Sequence, residues 1–292
     1  MNITPHSIRQ IALTYHPDIP QATQEAANIA AFLLEYDIQS SQGLITDQEL
    51  RKRLMNKNFD ILIALGGDGT MLRAGHLCGP IDIPILGINL GRFGFLMEVR
   101  QKHWREYLPS LVKGDFWLEE RMMINTQQWR NGKMLGEWEA LNEVVVCRGK
   151  TVLPVHLDTS VDDRFLTTYV ADGLIASTPT GSTAYALAAG GPILPPELRN
   201  ILLVPVAPHL SIDRAIVLAE GSSVSITVQT THHAVLSIDG QSPVELEDKD
   251  CIEVRAGEHN VYFVRFQDPG YFYRNLTPHM NQNPSIGSTK CL

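Results

Sequence analysis

Three glycines and one carboxylate follow the apolar run FDILIA (59–64) in the segment LGGDGTML (65–72). Gly66, Gly67 and Gly69 lose side-chain packing and gain backbone freedom, including positive φ and close approach by another molecule. A glycine turn between the carboxyl end of a strand and the amino terminus of a helix presents N–H groups that suit phosphate. The chain contains no GxxxxGK[ST], so this is not a Walker P-loop. It is not a Rossmann fingerprint either, because Asp68 would repel the pyrophosphate such a turn holds. Asp68 fits a general base, or a metal ligand, facing a phosphate held by neighbouring amides. The plain alternative is a carboxylate that caps the following helix.

Three further segments carry polar groups where chemistry could use them. GINLGRFGFL (87–96) offers Asn89 for hydrogen bonding and Phe93 and Phe95 for stacking, among Gly87, Gly91 and Gly94. The alternative there is a strand-to-helix loop with core aromatics. In LNEVVV (141–146), Asn142 and Glu143 stand where an apolar strand begins. Neighbouring strand residues face opposite ways, so the pair belongs at the strand's start, where it could read two hydroxyls or simply form a turn. ADGLIASTPTGSTAYALAAGGPI (171–193) crowds Ser177, Thr178, Thr180, Ser182 and Thr183 around Pro179 and Gly181 just before a helical pattern. Hydroxyls and amides at a helix amino terminus suit an anion or a sugar, and beyond that serve as an N-cap. Asp172 and Asp239 each precede a glycine, as Asp68 does. His232 and His233 lack companions at metal-ligand spacing and read as a surface turn.

The elements that must position these groups fall into two kinds. In the first hundred residues IALTY (11–15), FDILIAL (59–65) and IPILGINL (83–90) read as strands. They alternate with helical patterns at 21–36, at TMLRAGHL and at 101–111, which implies a parallel sheet covered by helices. Past about residue 115 the runs are short, β-branched and separated by Gly, Pro, Asp and Asn turns, as in an all-β unit. The expected organisation is an α/β domain over 1–112 carrying GGDGT, a β-rich, sandwich-like domain over 113–276, and a flexible polar tail over 277–292. TAYALAAGG (183–191) is the one helical interruption of the second domain.

The 292 residues are 44% hydrophobic and 19% charged, an ordinary globular composition with material for a core. A formal net charge of −8 excludes a broad nucleic-acid or anionic-membrane footprint, and Arg51, Lys52 and Arg53 read as a solvated helix face. No start of secretory type and no membrane-spanning apolar run is present. Cys78, Cys147, Cys251 and Cys291 form no CxxC pair, which points to neither a zinc site nor a disulfide framework and fits a reducing cytoplasm.

GGDGT, NxGxxGFL, NE, and DG followed by TPTGSTAY, in this order and at these separations, resemble the NAD kinase family from about residue 10 to residue 276. A GGDGT turn alone also occurs in diacylglycerol kinases, sphingosine kinases and phosphofructokinases, whereas TPTGSTAY discriminates among them. The resemblance implies ATP-dependent phosphorylation of NAD at the 2′-hydroxyl of its adenosine ribose, with a divalent ion, Mg²⁺, bridging ATP oxygens. It implies Asp68 as the base, and Gly66, Gly67, Gly69 and Thr70 as the phosphate turn with Arg73 one helical turn behind. NAD contacts are implied for Asn89, Phe95, Asn142, Glu143, Asp172, Thr183, Ala184, Tyr185, Ala186, Leu187, Ala188 and Gln241, and a metal site built by the protein itself is not implied. The family pattern also places the active site between two domains of a homodimer or homotetramer with a neighbouring subunit contributing.

The chain departs from many bacterial relatives at Ala186, where they have Ser, and at Ala215 after Arg214, where they have Pro; both departures bear on NAD versus NADH preference. Two other classes stay open at this level. A lipid kinase of the diacylglycerol type would share the glycine turn but needs membrane-facing loops. A non-catalytic NAD(H) sensor would be marked by an altered base, and Asp68 is present.

Overall fold

The computed structural model describes residues 8–91, 94–150, 152–209, 211–229 and 232–281. In chain order the elements are β1 (Gln10–Tyr15), α1 (Ala22–Leu34), β2 (Gln39–Leu44), α2 (Gln48–Met55), β3 (Ile61–Gly66), α3 (Asp68–Cys78), β4 (Ile85–Asn89), β5 (Val99–Arg100) and α4 (Trp104–Lys113). Then follow β6 (Trp117–Arg130), β7 (Lys133–Ala140), β8 (Glu143–Arg148), β9 (Val155–Val161), β10 (Arg164–Ala171), β11 (Gly173–Ser177), α5 (Tyr185–Ala188), β12 (Asn200–Val206) and β13 (Ile216–Ala219). The last are β14 (Val224–Gln229), β15 (Ala234–Ile238), β16 (Val244–Leu246), β17 (Cys251–Arg265) and α6 (Tyr271–Asn281).

The chain divides into two compact units, one of residues 1–120 with 261–292 and one of residues 121–260. This differs from the expected break after 112 and from a β domain reaching 276. Residues 277–281, expected in a polar tail, lie within α6; residues 282–292 lie outside the described residues.

In the first unit β2, β1, β3 and β4 are parallel neighbours in that order. β3 is buried along all six residues, as a strand covered on both faces must be, and each large apolar side chain so buried contributes about 1.5–3 kcal/mol. α1 buries Ala22, Ala26, Ile29 and Leu33, one stripe at helical spacing, against Ile11, Leu13 and Ile63. β2, QSSQGL, has no sequence signature of a strand; it is polar because it sits at the end of the strand order and, among the described residues, pairs only with β1. α2 starts at Asp47, whose carboxylate accepts from the N–H groups of Glu49 and Leu50 at 2.8 and 3.2 Å. Gly66 and Asn89 are register partners at the carboxyl ends of β3 and β4, so the GGDGT turn and the GINLGRFG loop leave the sheet side by side. That edge is where open α/β sheets bind ligands.

The second unit is an antiparallel β-sandwich. One sheet runs β13, β12, β11, β8, β15, β16, and the other layer contains β10, β9 and β14 with the first part of β17. Val144, Leu174, Leu203 and Leu236 of the first meet Leu157, Tyr169, Ile226 and Ile252 of the second in one apolar core. β14 up to Val228, and β15 throughout, alternate buried and half-buried residues, the period-2 pattern of strands with one covered face. β8 is buried on both faces, because Val145 packs on the far side with Ile175, Ala186, Leu202 and Val204.

Candidate active site

In the first unit the glycine turn ends β3 and opens α3. Gly67 is the N-cap in extended conformation, and Asp68 is the first helical residue. None of Gly66, Gly67 and Gly69 has positive φ, so the expectation of left-handed freedom is corrected: space is what requires glycine. A Cβ on Gly66 would overlap the Thr70 hydroxyl, and Thr70 is buried beneath the turn with its N–H bonded to the Gly67 carbonyl at 2.8 Å. Gly67 and Gly69, by contrast, have no atom within 4 Å of an added Cβ and leave the front of the turn open. Arg73 is exposed on α3.

Asp68 does not cap its helix, which has no side-chain cap. Its carboxylate instead accepts from Phe95 N–H at 2.8 Å through Oδ2 and from Leu96 N–H at 3.1 Å through Oδ1. The loop after β4 therefore aims the carboxylate. Gly94 makes this approach possible, because a Cβ there would overlap Cγ, Oδ1 and Oδ2 of Asp68. Asn89 begins the same loop by accepting from Gly91 N–H at 2.9 Å, and Leu90 N–H bonds the Gly66 carbonyl at 2.9 Å. Phe93, expected to stack, lies outside the described residues.

In the second unit Asn142 and Glu143 stand at the start of β8, as expected. They are held there by Asp239, whose carboxylate accepts from three successive amides, Leu141 at 2.7 Å, Asn142 at 2.9 Å and Glu143 at 2.8 Å. Asp239 has φ 47°, an αL position that Asp tolerates, and the following turn carries Gly240 and the exposed Gln241. The DG doublet is visible in the sequence, but its task as a clamp on the Asn-Glu pair needs contacts nearly a hundred residues apart. Glu143 is buried, and its Oε2 has no hydrogen-bond partner among the described residues. Burial first, and then the Asp239 charge, push its carboxyl up to about 8, against the opposing hydrogen bond from Tyr185 N–H. At neutrality Glu143 thus keeps its proton, with a donor and an acceptor on one group.

The hydroxyl-rich turn is built differently from expectation. Ser177, Thr178, Ser182 and Thr183 donate to the carbonyls of Asn142, Leu141, Pro179 and Thr180 at 3.1, 2.5, 2.7 and 3.1 Å. Thr180 accepts from the buried Arg121 at 3.1 Å. These hydroxyls shape the turn and fasten it beneath Asn142. Gly181 fits that contact, since a Cβ would strike the Asn142 carbonyl. The helix expected over 183–191 reduces to a 3₁₀ turn at Gly181–Thr183 and the single turn α5, too short for a helix-end anion site.

Of the segment 183–188, Tyr185 is exposed and Ala186 is fully buried with Val145 and Leu202, so the Ser-to-Ala departure falls in an apolar cluster. Thr183, Ala184 and Leu187 are half-buried, and Ala188 is exposed. Partial burial, followed by the Cys147 thiol and the Asp172 carboxylate, raises the Tyr185 phenol above its usual range. Asp172, at the break between β10 and β11, pairs with Arg148 at 2.9 Å. Glu143, Tyr185 and Asp172 thus form one group with Asn142 and Asp239 in this unit.

Residues 18–116 match the family model described as the ATP-NAD kinase N-terminal domain, and residues 141–266 match the ATP-NAD kinase C-terminal domain. The chain is 37% identical over 277 residues to the NAD kinase of Chloroflexus aggregans, covering 94% of this chain and 100% of that one. Its fold resembles the crystal structure of an NAD kinase from Archaeoglobus fulgidus in complex with ATP (TM-score 0.75, 26% identity, 94% and 99% coverage). It also resembles yeast NADH kinase complexed with NADH (TM-score 0.83, 24% identity, 98% and 91% coverage). Two domain models met in order, and a relative matched along its whole length, place this chain in the NAD kinase family.

Proposed function

We propose that the chain phosphorylates NAD with ATP, giving NADP and ADP, and that Asp68 is its base. The observation that carries this reading is the Asp68 carboxylate, fixed by two backbone N–H groups at the mouth of an open glycine turn. The 2′-hydroxyl of the adenosine ribose loses its proton to Asp68 as its oxygen bonds the γ-phosphorus, and the bond from that phosphorus to the leaving ADP oxygen breaks. Gly66, Gly67, Gly69 and Thr70 form the phosphate turn with Arg73 behind it. Asn89, Asn142, Glu143, Asp172, Gln241 and the 183–188 segment take NAD, with Phe95 near the adenine. A neutral Glu143 suits a ribose, since it can both give and accept a hydrogen bond.

Phosphoryl transfer asks a protein chiefly for positioning and charge neutralisation. Among the described residues no three His, Cys, Asp or Glu side chains are grouped to hold a metal. A Mg²⁺ ion would therefore be carried by the polyphosphate, with Asp68 the oxygen donor of this turn that suits it. Bound, it would neutralise charge on the transferring group. The homodimeric or homotetrameric state and a cytoplasmic setting follow the family pattern; free Cys78, Cys147 and Cys251 agree with the second. No described helix is long and apolar enough to cross a membrane, and the two domain matches favour this reading over a lipid kinase.

The test is NADP formation from NAD, ATP and Mg²⁺ by wild type and Asp68→Asn. Loss of the base is expected to lower the rate ~10²–10⁴-fold with NAD binding retained. No NADP from a folded, NAD-binding wild type would move the assignment to a sensor.

A further inference from the structure

The loop that aims Asp68 is itself gripped from behind. Leu96 gives its N–H to Asp68, and its carbonyl accepts from Arg265 Nη1 at 3.1 Å. Arg265, the last residue of β17, is 1% exposed, and its Nε donates to Glu119 Oε2 at 2.8 Å. Tyr271 of α6 donates its hydroxyl to the same carboxylate at 3.0 Å. Beside this cluster Glu98 accepts from Phe266 N–H at 3.0 Å and Gln267 N–H at 2.7 Å. Residues 96–98 are thus stitched to 265–267 within the first unit.

A buried ion pair is a poor way to gain stability alone. Desolvating it costs several kcal/mol per ion, and apolar residues of similar volume often serve the fold as well. What a guanidinium supplies is geometry, because its planar fork reaches the Glu119 carboxylate and the Leu96 carbonyl together, which a lysine point charge cannot reproduce. We infer that Arg265 is a positioning residue for phosphoryl transfer: anchored on Glu119, it fixes Leu96 and thereby the peptide that aims the Asp68 carboxylate. The inference rests on the role proposed above for Asp68. Tyr271 belongs to the anchor but touches neither Leu96 nor Asp68 in any bond described above, so it separates positioning from packing.

The experiment compares wild type, Arg265→Lys and Tyr271→Phe by steady-state kinetics, melting temperature and hydrogen exchange at the Leu96 amide. Arg265→Lys should lose ~10–100-fold in kcat, the scale of a misplacement near 1 Å, with both KM values within about threefold of wild type. Its Leu96 amide should exchange faster. Tyr271→Phe should melt lower yet keep kcat. If Arg265→Lys does not fold, Arg265→Met with Glu119→Gln removes both charges, keeps an acceptor for the Tyr271 hydroxyl, and should show the same kcat loss. Wild-type kcat and Leu96 exchange in a folded Arg265 variant overturn the inference. So does a kcat loss in Tyr271→Phe that scales with its melting shift as in Arg265→Lys. An inactive wild type would sink the kinase reading instead, and exchange at Leu96 would still decide whether Arg265 holds the loop.

Discussion

Replacing Gly94 by Ala puts one methyl group where the structure has room for none. The added Cβ would overlap three atoms of the Asp68 carboxylate, and van der Waals separation of about 3.5 Å requires a shift of about 1 Å or more. Either the carboxylate turns away, losing its bonds to Phe95 and Leu96 at 2.8 and 3.1 Å, or the loop recedes and carries those donors with it. Both outcomes misplace the base, and about 1 Å of misplacement costs on the order of 10²-fold in rate. Local overpacking should cost about 1–3 kcal/mol of stability. The assay is kcat for NADP formation at saturating NAD and ATP, read beside the melting temperature. Gly91→Ala gives the stability control, since an added Cβ there has no atom within 4 Å and should leave melting unchanged. A Gly94→Ala enzyme with wild-type kcat would refute the view that this loop aims Asp68.

Glu143 gives a prediction in pH. Its folded carboxyl titrates near 8, above the ordinary 4.5, so between these values the folded state holds a proton that the unfolded state has lost. Stability from this group is therefore greatest below pH 4.5 and falls as pH rises toward 8, by several kcal/mol on the scale of 1.36 kcal/mol per pH unit. Glu143→Gln should melt above wild type by a margin that widens from pH 5 to 8 while NAD binding weakens; a margin constant with pH contradicts the assignment. Asp250 runs the opposite way. Burial opposes its ionisation, but Arg130 at 2.6 Å, the Glu247 amide and Gln128 outweigh it and hold the carboxyl below the usual range. Its contribution is thus present above the ordinary value of 3.8 and is lost as pH falls through the lower folded value. Arg130→Ala should be less stable than wild type at pH 7 with kcat unchanged, and chemical denaturation should show the deficit shrinking in acid.

The sequence exposed what depends on local pattern. β1, β3 and β4 are apolar runs flanked by turn residues, and GGDGT announces a strand-to-helix turn by composition. β2 escaped because an edge strand can be polar, and α5 was overestimated because high helix propensity at 183–191 yields to burial of Ala186 against Val145 and to the closing turn at Gly190 with φ 87°. Type and spacing do not reveal direction in the hydroxyl cluster: Ser177, Thr178, Ser182 and Thr183 donate to carbonyls of their own unit, and Thr180 accepts from Arg121. Least legible were Arg265, Glu119 and Glu98, since a buried charge reads on paper like a surface one. The partners of Arg265 lie 146 and 169 residues away.

That separation gives the enzyme a history during synthesis. The first unit is discontinuous in sequence, and the guanidinium that grips Leu96 leaves the ribosome 169 residues later. At about 5–20 residues per second the delay is roughly 10–30 s, during which the intervening sandwich can fold as a unit. Throughout that interval the nascent chain displays the GGDGT turn and its carboxylate without the clamp behind them. The grip on the loop therefore arrives with the return strand, which belongs to the part of the first unit made last, and a ribosome stalled before Arg265 would hold the motif without its clamp.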